Sequence, residues 1–271
     1  MKYFVFLALA CPLFVVALSS VPARAFTLYD DFNSSPQLNA TKWVDLEFGT
    51  LDVVRRVQAQ QLHLLMRGYA ETTSNSGTSL PRLGLTTVSS VTTTAMEATV
   101  QIKNVKAKGC PGNFLTPPTV AGAGLVGRFF NSGTPAAGDQ TNDVLALIFI
   151  GRASNSSDPA NVLQILGVVF QCTNADCSVV SPLGNATVGS IDNTTTPTTT
   201  LRIEWDAANN WFLFGASGEA DKSVSYTVAD EGTPGGPTGI GPSVAALVPN
   251  CTTQPRPQGF VNAFFDDVDV Q

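Results

Sequence analysis

The chain is poor in charged residues and has a single histidine. Charged side chains make up 13% of its 271 residues, whereas an ordinary soluble domain has about 25%. One histidine excludes zinc sites built on histidine pairs, and no serine nucleophile elbow or glycine-rich phosphate loop follows a predicted strand. We therefore expect no organic cofactor. His63 lies between two leucines on a predicted strand and is interpreted as a structural residue.

The N-terminus has the pattern of a cleaved leader. Lys2 is followed by an apolar stretch over residues 3–18, and Ala23 and Ala25 provide a small-x-small cleavage site. We predict a signal peptide over residues 1–25 and one mature domain over residues 26–271, secreted to the periplasm or the extracellular space. An uncleaved anchor and a lipoprotein modified at Cys11 are the alternatives, and the apolar run continuing past Cys11 disfavours the second.

The mature part is acidic and has no long apolar run. Without Lys2 and Arg24 it keeps 13 basic and 21 acidic residues, a net charge of −8. Such a balance argues against nucleic acid or an anionic membrane as a partner. We also expect no membrane span in the mature chain.

Four cysteines remain after leader removal, and an even number in an exported chain indicates two disulfides. The short spacing of Cys172 and Cys177 predicts a closed loop at the end of a hairpin, which pairs Cys110 with Cys251. A metal site made of all four thiolates is the alternative, but the spacing is not that of a zinc knuckle.

Apolar and polar residues alternate with a period of two over most of the chain, which indicates β-strands. Over residues 94–103 one face is apolar and the other polar, and residues 201–206 and 211–214 form a predicted hairpin across the turn at 207–210. Short strands separated by Gly, Pro and Asn predict an all-β jelly-roll sandwich of two antiparallel sheets. Turn formers predict loops, among them residues 231–242.

Five segments resemble the concanavalin A-like lectin/glucanase superfamily. They are residues 28–32, 38–43, 53–69, 201–206 and 264–268. The resemblance implies a jelly roll in which the first and last strands lie side by side. It does not specify a function, because members include lectins, hydrolases, lyases, sugar-binding modules and structural domains.

Hydrolases of this superfamily carry their carboxylates on one strand as Glu-x-Asp-x-x-Glu. Glu204 and Asp206 match the first two positions, but Asn209 occupies the third. Because Trp205 is predicted to face the core, Glu204 and Asp206 are more simply interpreted as a solvated face than as catalytic residues.

Two binding sites are predicted. If the terminal strands pair, Asp30, Asp31, Asp266 and Asp267 gather, and the resemblance implies a structural calcium there; acids that merely protect a sheet edge are the alternative. Trp211 beside Asn209 and Asn210 is a candidate sugar platform if its ring turns outward, although strand tryptophans are usually core residues.

These observations favour a secreted, non-catalytic binding or surface-associated domain with a glycan as the leading ligand. A glycan hydrolase or lyase with atypical carboxylates is one alternative. A structural envelope or matrix protein, suggested by the low charge, is the other.

Overall fold

The computed structural model describes residues 25–70, 78–88, 93–110, 117–130, 139–175, 177, 180–206, 208–227, 239–251 and 256–271. The predicted signal peptide falls on residues 1–25, and its first 24 residues lie outside this described part. Within it, no helix is long and apolar enough to cross a membrane.

The described residues form sixteen β-strands and one short 3-10 helix at Asn193–Thr195. In chain order the strands are β1 (Thr27–Asp30), β2 (Trp43–Phe48), β3 (Thr50–Gln58), β4 (Gln61–Tyr69), β5 (Thr78–Ser79), β6 (Arg82–Thr87), β7 (Ala95–Lys108), β8 (Val120–Phe130), β9 (Val144–Ala153), β10 (Val162–Cys172), β11 (Val180–Asp192), β12 (Thr198–Asp206), β13 (Trp211–Ala216), β14 (Lys222–Ser225), β15 (Gly239–Pro249) and β16 (Gln258–Val270).

The strands make two antiparallel sheets of eight strands each. Sheet A has the order β14-β13-β12-β7-β16-β4-β3, and β1 also pairs with β16. Sheet B has the order β11-β10-β9-β8-β15-β6-β2, and β5 also pairs with β15. The predicted fold class, a jelly-roll β-sandwich of two antiparallel sheets, is confirmed.

The two ends of the predicted mature domain pair, as expected. Thr27 lies opposite Val270, and Leu28 lies opposite Asp269. Regular alternation in a first strand that packs on the core predicts that Leu28 points inward. This prediction is wrong, because the side chain is 56% exposed. A register shift between Leu28 and Asp30 breaks the alternation, so that Asp30 is buried instead.

The core lies between the sheets and follows the period-two pattern. On β12, Leu201, Ile203 and Trp205 are buried, while the residues between them are partly exposed. Each large apolar side chain buried this way stabilises the fold by about 1.5–3 kcal/mol. The sheets approach closely where Gly167 faces Phe214, since a Cβ at position 167 would overlap that ring.

Sheet B is apolar on its outer face as well. A second buried cluster there contains Leu145, Leu147 and Phe170 with both cysteines of the short disulfide. The side chains of β9 are therefore buried on both faces of sheet B, which explains why its sequence is a nearly continuous apolar run.

One loop prediction is partly wrong. Residues 231–242 are predicted to be a loop; of these, residues 231–238 lie outside the described part of the chain, and β15 begins at Gly239. Pro242 has no backbone N–H to donate and is usually a turn signal, yet it lies opposite Leu125 within the sheet.

Candidate functional site

The β12 and β13 hairpin presents the most exposed tryptophan of the protein. Trp211 is 38% exposed, whereas Trp43 and Trp205 are 4% and 5% exposed. Trp205 is therefore a core residue, as predicted, and its indole Nε1 donates to the Tyr226 hydroxyl at 2.9 Å. Trp211 is the one tryptophan of the chain with a ring available to a ligand.

The turn before Trp211 is built by its polar residues. Asn210 has a left-handed φ of 52°, which asparagine tolerates better than most residues. The backbone N–H of Asn209 donates to Asp206 Oδ1 at 3.2 Å, and its side-chain Nδ2 donates to Asp206 Oδ2 at 2.7 Å. The hairpin thus places an indole, a carboxylate and an amide side by side, which are the groups that stack on sugar rings and hydrogen-bond their hydroxyls.

The hydrogen bonds of this turn determine the charge of Asp206. The hydrogen bond from the Asn209 side chain, then those from the Asn209 backbone and Trp211, lower the pKa of the Asp206 carboxyl below its ordinary value, and burial partly opposes them. A carboxyl of lowered pKa stays ionised near neutral pH, so Asp206 is a hydrogen-bond acceptor and a poor general acid. Glu204 lies on the same outer face, paired with Ala95 and Leu213.

The predicted metal ligands do not form one cluster. Asp30 is buried and accepts from Trp43 Nε1 at 2.6 Å and from the Phe32 backbone N–H at 3.1 Å, with Lys42 Nζ 3.6 Å away. These contacts account for Asp30 without an ion. No group of three or more Asp, Glu, His or Cys residues suited to a metal occurs within the described residues.

Asp31 and Asp266 do influence each other. Burial raises the pKa of Asp266, and the charges of Asp267 and Asp31 add to this effect, while hydrogen bonds from the Asp267 backbone and Gln61 oppose it. Calcium bound by Asp30, Asp31, Asp266 and Asp267 stays a prediction. Thermal unfolding tests it: calcium should raise the melting temperature and a chelator should reverse the shift.

A pair of carboxyls that sequence reasoning missed lies on the outer face of sheet A. Glu97 on β7 and Asp269 on β16 are register partners, and a bulge between Asp266 and Asp269 produces this pairing. Burial raises the pKa of Glu97, and the Asp269 charge raises it further. Burial, then the charge of Asp267, raises the pKa of Asp269. The sequence does not predict this pairing, because strict alternation without the bulge places other residues opposite Glu97.

His63 belongs to a structural network, as predicted. Its ring stacks on Phe264 with centroids 4.4 Å apart and an interplanar angle of 5°. Arg56 Nε donates to His63 Nδ1 at 3.4 Å, so the ring proton is on Nε2, which donates to Asn262 Oδ1 at 2.9 Å.

Both predicted disulfides are present. Cys110 bonds to Cys251, with Cα atoms 6.2 Å apart, and Cys172 bonds to Cys177, with Cα atoms 4.8 Å apart. Disulfides form and persist in oxidising compartments, which agrees with an extracellular protein.

Comparison with known proteins found similarity in structure but not in sequence. No family model matches the chain, and no curated protein matches it significantly. A mutant of SCLam, a non-specific endo-β-1,3(4)-glucanase from family GH16, is 12% identical with a TM-score of 0.44, covering 91% of this chain and 95% of its own. A laminarinase from Flavobacterium sp. UMI-01 is 9% identical with a TM-score of 0.46, covering 91% and 99%.

The carbohydrate-binding module CBM66 from Bacillus subtilis is also similar in structure. It is 12% identical with a TM-score of 0.37, covering 87% of this chain and 100% of its own. These neighbours are glycan-cleaving and glycan-binding proteins by name, and at such low identities and TM-scores they carry no argument about this chain.

Proposed function

We propose that the mature chain is a secreted, non-catalytic β-sandwich that binds glycans through the Trp211 hairpin. The observation that carries this proposal is the exposed indole of Trp211 beside the carboxylate and amide of Asp206 and Asn209. A flat ring covers the apolar face of a sugar, while the neighbouring polar groups bind its hydroxyls.

A glycan array with residues 26–271, produced under oxidising conditions and assayed with and without calcium, tests the proposal. For the best ligand, Trp211→Ala should weaken binding about tenfold, since an aromatic contact is worth roughly 0.5–1.5 kcal/mol beyond its buried area. Trp211→Phe keeps a ring and should stay within about threefold of the parent. Val44→Ala is the matched control, because Val44 is an exposed apolar residue of sheet B.

Absence of binding to every glycan would refute the proposal. Binding that is unchanged in Trp211→Ala would refute the assignment to this hairpin.

The Glu97 and Asp269 pair favours a second candidate, a glycan hydrolase with atypical carboxylates. Register partners in an antiparallel sheet have Cβ atoms about 4.5–5.5 Å apart, and from there the two side chains can bring their carboxyls to the separation of about 5–5.5 Å that retaining glycosidases use. A raised pKa is also what a general acid requires. If this candidate is correct, the parent should release reducing sugar from its glycan ligand, and Glu97→Gln should abolish that release without weakening binding.

A further inference from the structure

A groove of about 690 Å³ lies at the end of sheet A that is remote from the Trp211 hairpin. The ends of β4, β7 and β16 form it together with the loop that follows β9. Along β7 it lies roughly 35 Å from Ala95, the residue beside Glu204. Its size is within the range of about 300–1,000 Å³ that is usual for ligand pockets.

The groove is basic in an acidic protein. Four of its lining residues are Arg67, Lys106, Lys108 and Arg152, and none of the described lining residues is acidic. The whole chain has 15 basic residues and a net charge of −6. Four basic residues in one groove therefore make a local positive charge on a protein that is negative as a whole. Such a patch attracts an anionic ligand and raises its local concentration.

The register of three neighbouring strands arranges these cations. Arg67 on β4 and Lys106 on β7 lie on either side of Phe260 on β16. Lys108 lies two residues further along β7, about 7 Å from Lys106, and pairs with Gln258. The positive groups therefore form a broad row suited to an extended ligand with repeated negative charges.

Arg152 holds a neighbouring loop, whereas Arg67, Lys106 and Lys108 are exposed to a ligand. The Arg152 guanidinium donates to the backbone carbonyls of Ser156, Asp158, Pro159 and Val162 and so holds the loop after β9. Within the described part of the chain, Lys106 and Lys108 are exposed and form no salt bridge.

The nearby carboxylates have other partners. Asp52, opposite Arg67 on β3, accepts from the Tyr69 hydroxyl at 2.8 Å. Asp158 accepts from Ser156 and Gln164 at 2.9 Å each. Both carboxylates keep their negative charge, but neither lines the groove, whose charged lining residues are all cations.

The groove also has groups that recognise a sugar. The Arg67 guanidinium lies 5.7 Å from the centroid of the Phe260 ring, which is partly exposed. Asn104 and Gln258 supply amides beside it. An aromatic ring flanked by amides and cations matches a sugar ring that bears an acidic group.

We propose that this groove binds an acidic polysaccharide, with Lys106 and Lys108 contacting its carboxylate or sulfate groups and Phe260 contacting the sugar ring. This site is separate from the Trp211 hairpin. It adds a second ligand class to the proposed function and does not depend on it.

Titration with four polymers tests this inference: polygalacturonate for carboxylates, dextran sulfate for sulfates, uncharged dextran, and double-stranded DNA. At least one acidic polysaccharide should bind, more weakly as the salt concentration rises, and dextran should not bind at this site. Lys106→Gln and Lys108→Gln should each weaken that binding about threefold, and together about tenfold.

Lys222→Gln is the matched control, since it removes one charge from an exposed lysine of β14 and should leave binding unchanged. Phe260→Leu should weaken binding to the acidic polysaccharide. Trp211→Ala should leave it unchanged, which separates this site from the hairpin.

Failure of both acidic polysaccharides to bind, or binding that falls equally with Lys222→Gln, would overturn the proposal. DNA binding of equal strength that depends on the two lysines but not on Phe260 would also overturn it, because the groove would then be a non-specific polyanion surface. If the Trp211 variants lose glycan binding while the lysine variants behave as the parent, this inference fails and the proposed function stands.

Discussion

The disulfide between Cys110 and Cys251 should contribute far more to stability than the one between Cys172 and Cys177. It joins residues 141 positions apart, whereas the other joins residues 5 positions apart. In the loop-entropy description these closures stabilise the fold by about 5 and about 2 kcal/mol, respectively. In a domain of this size, 1 kcal/mol shifts the melting temperature by about 2–4 °C.

Reducing one disulfide at a time measures how much each loop closure contributes to the melting temperature, because the same variant is compared before and after reduction. In a variant with Cys172 and Cys177 both replaced by Ala, reduction opens only the long closure and should lower the melting temperature by about 10–20 °C. In the converse variant, with Cys110 and Cys251 replaced, reduction should lower it by about 4–8 °C.

Circular dichroism at a fixed scan rate provides the melting curves, and a thiol assay verifies the redox state. The Ala variants also lose sulfur contacts, since both cysteines of the short disulfide are buried in the outer cluster of sheet B. The comparison before and after reduction cancels that loss. Equal shifts, or a larger shift for the short closure, would refute the entropic reasoning.

Two further predictions concern the carboxylates of sheet A. A carboxyl whose folded-state pKa is raised stabilises the fold at low pH and loses that contribution as the pH rises through the raised pKa. Asp269→Asn removes the repulsion with Glu97 and should therefore raise the melting temperature by about 1–3 °C at pH 7. The gain should disappear below about pH 3.9, where the Asp269 carboxyl of the parent is protonated. A gain in melting temperature that persists in acid would contradict this cause. Replacing Glu204 or Asp206 by Ala should leave any glycan-cleaving activity within about tenfold of the parent, and a loss of about a thousandfold with an intact circular dichroism spectrum would instead make these residues catalytic.

The sequence predicted the strands well where alternation is regular. The β12 and β13 hairpin turns where expected, because each of its strands has one apolar and one polar face. Leu28 was predicted to be buried and Gly239 to lie in a loop. Both errors follow from local backbone features, a register shift in β1 and a strand that contains Gly and Pro.

The candidate sites were harder to predict, because they depend on which strands become neighbours. The exposure of Trp211 follows from its position on the outer face of β13, which alternation around Phe212 and Phe214 permits. The basic groove combines residues of β4, β7 and β16, and no single segment of the sequence specifies that these three strands are neighbours in the sheet. The alternation of Lys106 and Lys108 at the end of β7 is the signal that could have indicated it.

Tryptophan fluorescence during glycan titration tests the central claim most directly. Trp43 and Trp205 are buried, so Trp211 should account for the long-wavelength emission and for most quenching by acrylamide. A bound glycan that stacks on Trp211 should shift this emission to shorter wavelength and protect it from acrylamide, and Trp211→Phe should abolish both effects while retaining affinity within about threefold. Glycan binding detected by calorimetry with no change in Trp211 emission or quenching would contradict the account.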